Sequence, residues 1–191
     1  MSRMGHRPVD VPEDVEISES GGVVTASGPN GELEQELADG ISIEIEDDHV
    51  VLKRRDDSTR QKSQHGLMRS LVENIITGVS EGFTKTLVLN GLGYRAQKQG
   101  TTLTLELGYS NPIQVEVPDN VDVEVPNNTT IKVSGIDNQV VGDFAAKLRY
   151  LRDPDPYNQK GIKYEDEQIR QKVGKAVGGE MEGEDGGAGE M

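Results

Sequence analysis

The side chains best suited to chemistry in this sequence of 191 residues are basic and aromatic, and many of them gather in its second half. All five tyrosines and both phenylalanines lie beyond position 82, and several tyrosines stand next to a cation, as in Tyr94-Arg95 and Arg149-Tyr150. Lys and Arg bind phosphates, and flat rings stack on bases or form hydrogen bonds with them. This combination is typical of a surface that binds RNA.

The residue types that usually catalyse reactions or bind metals form no such constellation. His6, His49 and His65 lack the spacing of metal ligands, and the absence of cysteine excludes disulfides, thiolate metal sites and cysteine nucleophiles. The glycines of segment 91–93 lack the third glycine and the following helix of a dinucleotide site. The sequence therefore predicts a protein that is not an enzyme and that uses no cofactor or metal.

The formal net charge of −14 is distributed unevenly along the chain. Thirteen acidic residues and no Lys or Arg lie between Arg7 and Lys53, whereas basic residues gather from Lys53 to Arg69 and from Lys147 to Lys175. An acidic face keeps a protein hydrated in a salt-rich cytosol, and it can coexist with a basic face that binds RNA. We therefore expect an acidic surface of the halophilic type on the first half.

An internal repeat relates the two halves of the chain at an offset of 80 positions. Gly28 aligns with Gly108 and Leu33 with Ile113, and the alignment continues without a gap into two strand-like runs. In these runs Ile41, Ile43 and Ile45 correspond to Val121, Val123 and Val125. Alternate apolar residues predict a strand with one buried face, and a second strand and a helix follow each run. The chain is therefore predicted to contain two similar units.

Apolar spacing predicts one long helix in each unit, from about Thr59 to Ser80 and from about Asn138 to Leu151. The expected inward residues are Leu67, Leu71, Ile75 and Val79 in the first helix and Val141, Phe144, Ala145, Leu148 and Leu151 in the second. The pairs Asn30-Gly31 and Gln99-Gly100 predict hairpin turns. Each unit is therefore predicted to be an α+β domain in which one small antiparallel sheet packs on one helix.

The predicted N-terminal domain covers residues 1–82, and the predicted C-terminal domain, the main RNA-binding part, covers residues 83–175. Residues 176–191 are rich in glycine and glutamate and have no apolar periodicity, which predicts a disordered acidic tail. The sequence contains no apolar run of about 18 residues that could span a membrane. Together with the absence of cysteine, this favours a cytosolic protein without a membrane partner.

The loop PDPYNQKGIKY, residues 154–164, resembles the C-terminal signature of the bacterial-type ribosomal large-subunit protein six family. Four further segments resemble that family in the right order, namely MSRMGHRP, GPNGEL, HGLMRSL and GLGYRA, so the resemblance covers about residues 1–175. It implies two duplicated α+β domains that bind 23S ribosomal RNA near the base of the stalk. It also implies contacts with neighbouring large-subunit proteins and proximity to the sarcin–ricin region, where translation factors dock.

The family pattern further implies that Lys160 is a phosphate ligand beside Gly161, where a missing side chain would allow the RNA backbone to approach closely. Pro154 and Pro156 are expected to hold Tyr157 and Lys160 in an extended conformation. The predicted RNA-binding residues are Arg69, Tyr94, Arg95, Lys147, Arg149, Arg152, Tyr157, Lys160, Gly161, Lys163, Lys172 and Lys175.

The sequence departs from the family at Asn158 and Gln159, where small or basic residues are usual, and in its acidity. Two other classes of protein share some of its features. An acidic protein–protein adaptor would have lost the basic positions of the second half, which are present here. A carboxylate-based hydrolase would need an inward pair of acids, whereas the repeat places Val, Ile and Leu at its inward positions. The residues favour a structural protein that binds RNA.

Overall fold

The computed structural model describes residues 7–46 and 49–174. Lys175 and the predicted acidic tail lie outside the described residues. The two helices within these ranges are α1 (Thr59–Ser80) and α2 (Asn138–Tyr150). The strands are β1 (Val9–Asp10), β2 (Glu16–Ser20), β3 (Val23–Gly28), β4 (Gly31–Glu36), β5 (Ile41–Ile45), β6 (His49–Arg54), β7 (Phe83–Asn90), β8 (Arg95–Gln99), β9 (Thr102–Glu106), β10 (Ile113–Glu116), β11 (Asp122–Asn127), β12 (Thr130–Gly135) and β13 (Gly161–Tyr164).

Each half contains two antiparallel sheets and one helix. In the first half, one sheet has the order β2-β3-β4 and the other β1-β6-β5, and both contact α1. In the second half, one sheet has the order β10-β9-β8 and the other β11-β12-β7-β13, and α2 packs on the four-stranded sheet. None of the helices among the described residues combines the length and the apolar character that crossing a membrane requires.

Each half has its own hydrophobic core. Val24, Val50 and Val72 are completely buried in the first core. The second core is larger, and its completely buried members include Leu87, Leu103, Leu105, Ile131, Val133, Leu148 and Ile162. The alternation of buried and exposed residues along the strands places one face of each sheet on its core, as the period of two predicts. The α+β class is therefore confirmed.

The prediction of a single sheet in each half was wrong. Alternating apolar residues predicted the hairpins correctly, and Gly28 pairs with Gly31 at one turn while Gln99 pairs with Thr102 at the other. Period-two patterning marks the buried face of a strand, but it does not specify which strands share a sheet. That grouping depends on contacts between residues far apart in the sequence, and it divides six strands into two groups of three in the first half.

Local capping interactions fix the ends of both helices. The Ser58 hydroxyl accepts a hydrogen bond from the Gln61 N–H (3.3 Å) at the start of α1, and the Asp137 carboxylate accepts one from the Gln139 N–H (2.8 Å) at the start of α2. After α1, Gly82 has a φ of 75° and donates its N–H to the carbonyl of Thr77. The predicted helix bounds are confirmed to within a residue.

The inward face of α1 differs from the prediction at its beginning. Leu67 is 54% exposed, whereas His65, Met68 and Val72 are buried. An α-helix turns through about 100° per residue, so a stripe that repeats every four residues drifts by about 40° at each step. Leu67 is three such steps from Val79 and has therefore rotated out of the core. Of the predicted inward residues of α2, Val141, Phe144, Ala145 and Leu148 are buried, whereas Leu151 follows the helix and is half-buried against the core.

The two halves are in close contact where α1 meets the segment before α2. The side-chain amide of Asn138, the first residue of α2, donates to the side-chain oxygen of Asn74 on α1 (3.4 Å). At Gly78 the backbone of α1 approaches the carbonyl oxygen of Ile136 so closely that an added Cβ would lie 2.0 Å from it. The contact therefore depends on a glycine in the last turn of α1.

Candidate nucleic-acid interface

Four segments of the second half meet at one end of the molecule. The turn between β7 and β8 contacts the loop after α2, because the Asn90 amide donates to the carbonyl of Gln159 (2.9 Å). The loop also contacts the end of α2, since the N–H of Ile162 donates to the carbonyl of Arg152 (2.8 Å). The segment after β9 joins them through the Tyr109 hydroxyl, which donates to the carbonyl of Leu151 (3.1 Å). We call residues 90–95, 108–109, 151–153 and 154–160 the basic end.

Arg152 lies at the centre of the basic end. Its guanidinium carbon is 4.8 Å from the centre of the Tyr109 ring, which is a cation–π contact. A hydrogen bond with the Tyr109 hydroxyl and the proximity of the Tyr94 hydroxyl raise the pKa of Arg152 above its ordinary value. Among the described residues, Arg152 forms no ion pair with a carboxylate. Its charge is therefore available for a ligand.

The loop that follows α2 is a closed turn, so the predicted extended conformation was wrong. The Asp155 carboxylate accepts hydrogen bonds from the N–H groups of Asn158 (3.0 Å) and Tyr157 (3.2 Å), which lower the pKa of Asp155. The Asp155 N–H donates to the carbonyl of Lys160 (3.0 Å) and closes the turn. Proline fixes φ but not the course of the following residues, and an aspartate readily caps neighbouring N–H groups. Tyr157 and Lys160 are nevertheless exposed at its surface.

Gly161 is buried, and its missing side chain makes room for the protein itself. Its φ is 153°, and an added Cβ would lie 2.5 Å from the Cα of Pro154 and 2.7 Å from the carbonyl oxygen of Asp153. The space where a side chain would stand is filled by Pro154 and Asp153, so it is not open to an RNA phosphate as expected. Glycine is required here because two parts of the loop touch.

Arg149, which was predicted to bind RNA, is engaged by two carboxylates. Its guanidinium donates to both oxygens of Glu167 (2.6 and 2.9 Å) and to Asp153 (2.9 Å). The hydrogen bond with Glu167 raises the pKa of Arg149, and the same bond lowers the pKa of Glu167. The side chains of Arg149 and Glu167 are 22% and 23% exposed. This ion pair ties the segment after β13 to α2.

We expect Glu167→Gln to lower the free energy of unfolding by about 1 kcal/mol at pH 7, because it removes a charge-assisted hydrogen bond. The folded-state pKa of Glu167 is depressed below 4.5, so its contribution is complete above that value and is lost as the pH falls through the folded-state pKa. Urea unfolding between pH 7 and pH 3 should show the variant and the parent converging in acid. Glu165→Gln at an exposed neighbouring position is the control, and a constant difference at all pH values would contradict the assignment.

The other predicted residues are distributed over both halves. Arg69 lies in the first half and is 7% exposed; it donates to the carbonyl of Arg7 (3.0 Å) and to Glu73 (2.9 Å). Tyr94 is 7% exposed, and its ring packs where Gly91 and Gly108 have no side chains. The remaining described members are the exposed Arg95 on β8, the exposed Lys147 on α2, the half-buried Lys163 on β13 and the exposed Lys172 beyond the last strand.

Lys172 returns to the basic end despite its distance in the sequence. Its N–H donates to the carbonyl of Pro156 (3.0 Å), and the side chain of Gln171 donates to the carbonyl of Tyr157 (3.4 Å). The structure thus brings Arg95, Arg152, Lys160 and Lys172 into or beside the basic end. It leaves Arg69 in the other half.

Sequence reasoning missed two residues of the basic end. Tyr109 supports Arg152, and Leu92 is 98% exposed in the turn between two glycines. The aromatic count included Tyr109, but no basic neighbour in the sequence marked it. Within residues 7–46 and 49–174, no group of three or more His, Cys, Asp or Glu side chains is placed to hold a metal ion.

The fold and this end define a class: a protein of two related α+β units that presents cations and aromatic rings at one end. The sequence matches the family described as Ribosomal protein L6 over residues 11–82 and again over residues 90–165. The chain belongs to this family, as the resemblance implied. It is therefore a structural protein of the large ribosomal subunit, located in the cytoplasm, and not an enzyme.

Bacterial relatives are similar along nearly their whole length, and each is named large ribosomal subunit protein uL6. The relative from Caldicellulosiruptor saccharolyticus is 46% identical over 176 residues, which cover 92% of this chain and 97% of the relative. That from Geobacter sulfurreducens is 47% identical over 175 residues, covering 92% and 98%. That from Leuconostoc mesenteroides is 49% identical with the same coverage. The matched part of this chain therefore corresponds to nearly the whole length of each of these relatives.

Proposed function

We propose that this chain binds 23S ribosomal RNA through the basic end and stabilises the RNA near the base of the stalk. Neighbouring large-subunit proteins would lie beside it there, and translation factors would pass close to it. The observation that carries the proposal is a set of cations at the basic end without carboxylate partners among the described residues, namely the exposed Arg95, Lys160 and Lys172 and the half-buried Arg152. Unpaired cations attract phosphate because no internal ion pair must be broken first.

Arg69, Arg149 and Tyr94 support this surface indirectly. Both arginines direct their donors to carboxylates of the chain, and each pairs with the acid four positions later, Glu73 or Asp153. Tyr94 is buried under the turn that precedes Arg95. We assign these three residues to holding segments in place, and we assign phosphate binding to the remaining cations, including the exposed Lys147 and the half-buried Lys163.

We further propose that residues 83–175 form the main RNA-binding domain and that residues 1–82 form a domain that orients it. The outer face of the sheet β2-β3-β4 supports this division, because the exposed Glu32, Glu34 and Glu36 would repel phosphates. Adaptation of this acidic face to a salt-rich cytosol stays a prediction.

Lys160→Ala should weaken binding to 23S ribosomal RNA and lower the slope of log K against log salt by about one unit, which is the share of one phosphate contact. The fold should persist, because the side chain of Lys160 is exposed and lies outside the hydrophobic cores. Arg60→Ala, which removes an exposed cation from the first half, is the control and should leave both quantities close to those of the parent. Filter binding of the full chain to transcribed 23S RNA across a potassium chloride series measures both. Equal slopes for the parent and Lys160→Ala would refute the assignment.

A further inference from the structure

Tyr109 and Arg152 form a cation–π pair, and separate hydrogen bonds hold each of the two residues. The Tyr109 hydroxyl donates to the carbonyl of Leu151, so the ring is held at its far end as well as by its own backbone. The backbone of Arg152 is held on both sides, because its N–H donates to the carbonyl of Arg149 (3.3 Å) and its carbonyl accepts from Ile162 (2.8 Å). The guanidinium carbon of Arg152 lies over the Tyr109 ring, 4.8 Å from its centre.

A comparison with Arg149, three residues earlier, shows what is unusual about Arg152. Arg149 directs its planar group to Glu167 and Asp153, and its hydrogen-bonding capacity is used within the protein. Arg152 is held over an aromatic ring, and it has no carboxylate partner among the described residues. A ring covers the face of a guanidinium, whereas its five N–H donors lie along its edge. The donors of Arg152 that the Tyr109 hydroxyl does not use can therefore meet a phosphate bidentately.

We propose that Tyr109 is a positioning residue that holds Arg152 ready for a planar, two-point contact with a phosphate group of the ribosomal RNA. The proposal rests on the proposed function, because it assumes that the basic end faces RNA. A free arginine side chain loses rotamer freedom on binding, and one that is already stacked loses less. Tyr109 would thus raise affinity without carrying a charge of its own.

A double-mutant cycle on the full chain tests this mechanism. Arg152→Ala, Tyr109→Leu and the double variant are titrated against transcribed 23S RNA at several potassium chloride concentrations. Arg152→Ala should lower the salt slope by about one unit. Tyr109→Leu should weaken binding about three- to tenfold with little change of slope, because the charge remains. In the Arg152→Ala background, Tyr109→Leu should cause no further loss.

Two conservative variants separate positioning from a general effect on the fold. Tyr109→Phe keeps the ring and should retain most of the affinity, although it lacks the hydrogen bond to Leu151. Arg152→Lys keeps the charge but not the planar fork, so it should preserve the slope and still bind more weakly than the parent. Urea unfolding of each variant shows whether a change in binding follows a change in stability.

The outcomes distinguish this inference from the proposed function. The positioning role would be overturned if Tyr109→Leu lowered the affinity for RNA equally in the parent and in Arg152→Ala, or if Tyr109→Leu bound as tightly as the parent. The proposed function would survive either result as long as Arg152→Ala and Lys160→Ala still weaken binding. Parent affinity and slope for Arg152→Ala and Lys160→Ala together would instead reject the basic end as the RNA surface. Full rescue by Arg152→Lys would show a point-charge contact and would also overturn the two-point geometry.

Discussion

Gly78→Ala is expected to lower the free energy of unfolding by about 2–4 kcal/mol, although alanine is the better helix former. The added Cβ would lie 2.0 Å from the carbonyl oxygen of Ile136 and 3.2 Å from the ring of Phe83. A backbone carbonyl cannot move aside as a flexible side chain can, so the segment before α2 would have to shift. That shift would loosen the contact between the two halves.

Gly66→Ala is the matched control, because Gly66 lies on the same helix and an added Cβ there would meet nothing within 4 Å. It should raise the free energy of unfolding by about 0.5–1 kcal/mol through helix propensity alone. Urea denaturation followed by circular dichroism measures both variants. If Gly78→Ala were stabilising to the same extent as Gly66→Ala, the close contact between α1 and Ile136 would not exist in solution.

The helices could be predicted from the sequence because their determinants are local. Ser58 and Asp137 cap the N–H groups two or three positions later. Gly82 ends the first helix through a hydrogen bond to Thr77, only five positions earlier. The hairpins at Asn30-Gly31 and Gln99-Gly100 are local in the same sense. The repeat added a second, independent test of each element. Such features need no knowledge of the rest of the fold.

The composition of the candidate site could be predicted only in part, because the type of a residue does not reveal which other side chain or carbonyl of the protein it binds. Arg149 was expected to bind phosphate, yet besides the nearby Asp153 it pairs with Glu167, which lies 18 positions away. Tyr109 lies 42 positions from Leu151, to which its hydroxyl donates, and no local pattern connects them. Lys160 is exposed in its loop, and its assignment as a phosphate ligand stays a prediction. The prediction of one sheet in each half was wrong for the same reason, because the grouping of strands depends on contacts between residues far apart in the sequence.

Gly161→Ala is expected to lower the free energy of unfolding by about 3–4 kcal/mol, which combines backbone strain with a collision. The φ of 153° disfavours any side chain, and the new Cβ would lie 2.5 Å from the Cα of Pro154. Gly100→Ala separates the two causes, because Gly100 also has a positive φ (61°) but an added Cβ would meet nothing within 4 Å.

The control should therefore lose only about 1–2 kcal/mol, which is the cost of a left-handed backbone conformation for alanine. Thermal and urea unfolding of the full chain measure both losses, and RNA binding is then compared where each variant is still folded. Under those conditions Gly161→Ala should keep the salt slope of the parent, because no cation is removed. A variant that is as stable as the parent but binds 23S RNA weakly would show the opposite arrangement, in which the open side of Gly161 faces the phosphate and the contact with Pro154 is absent.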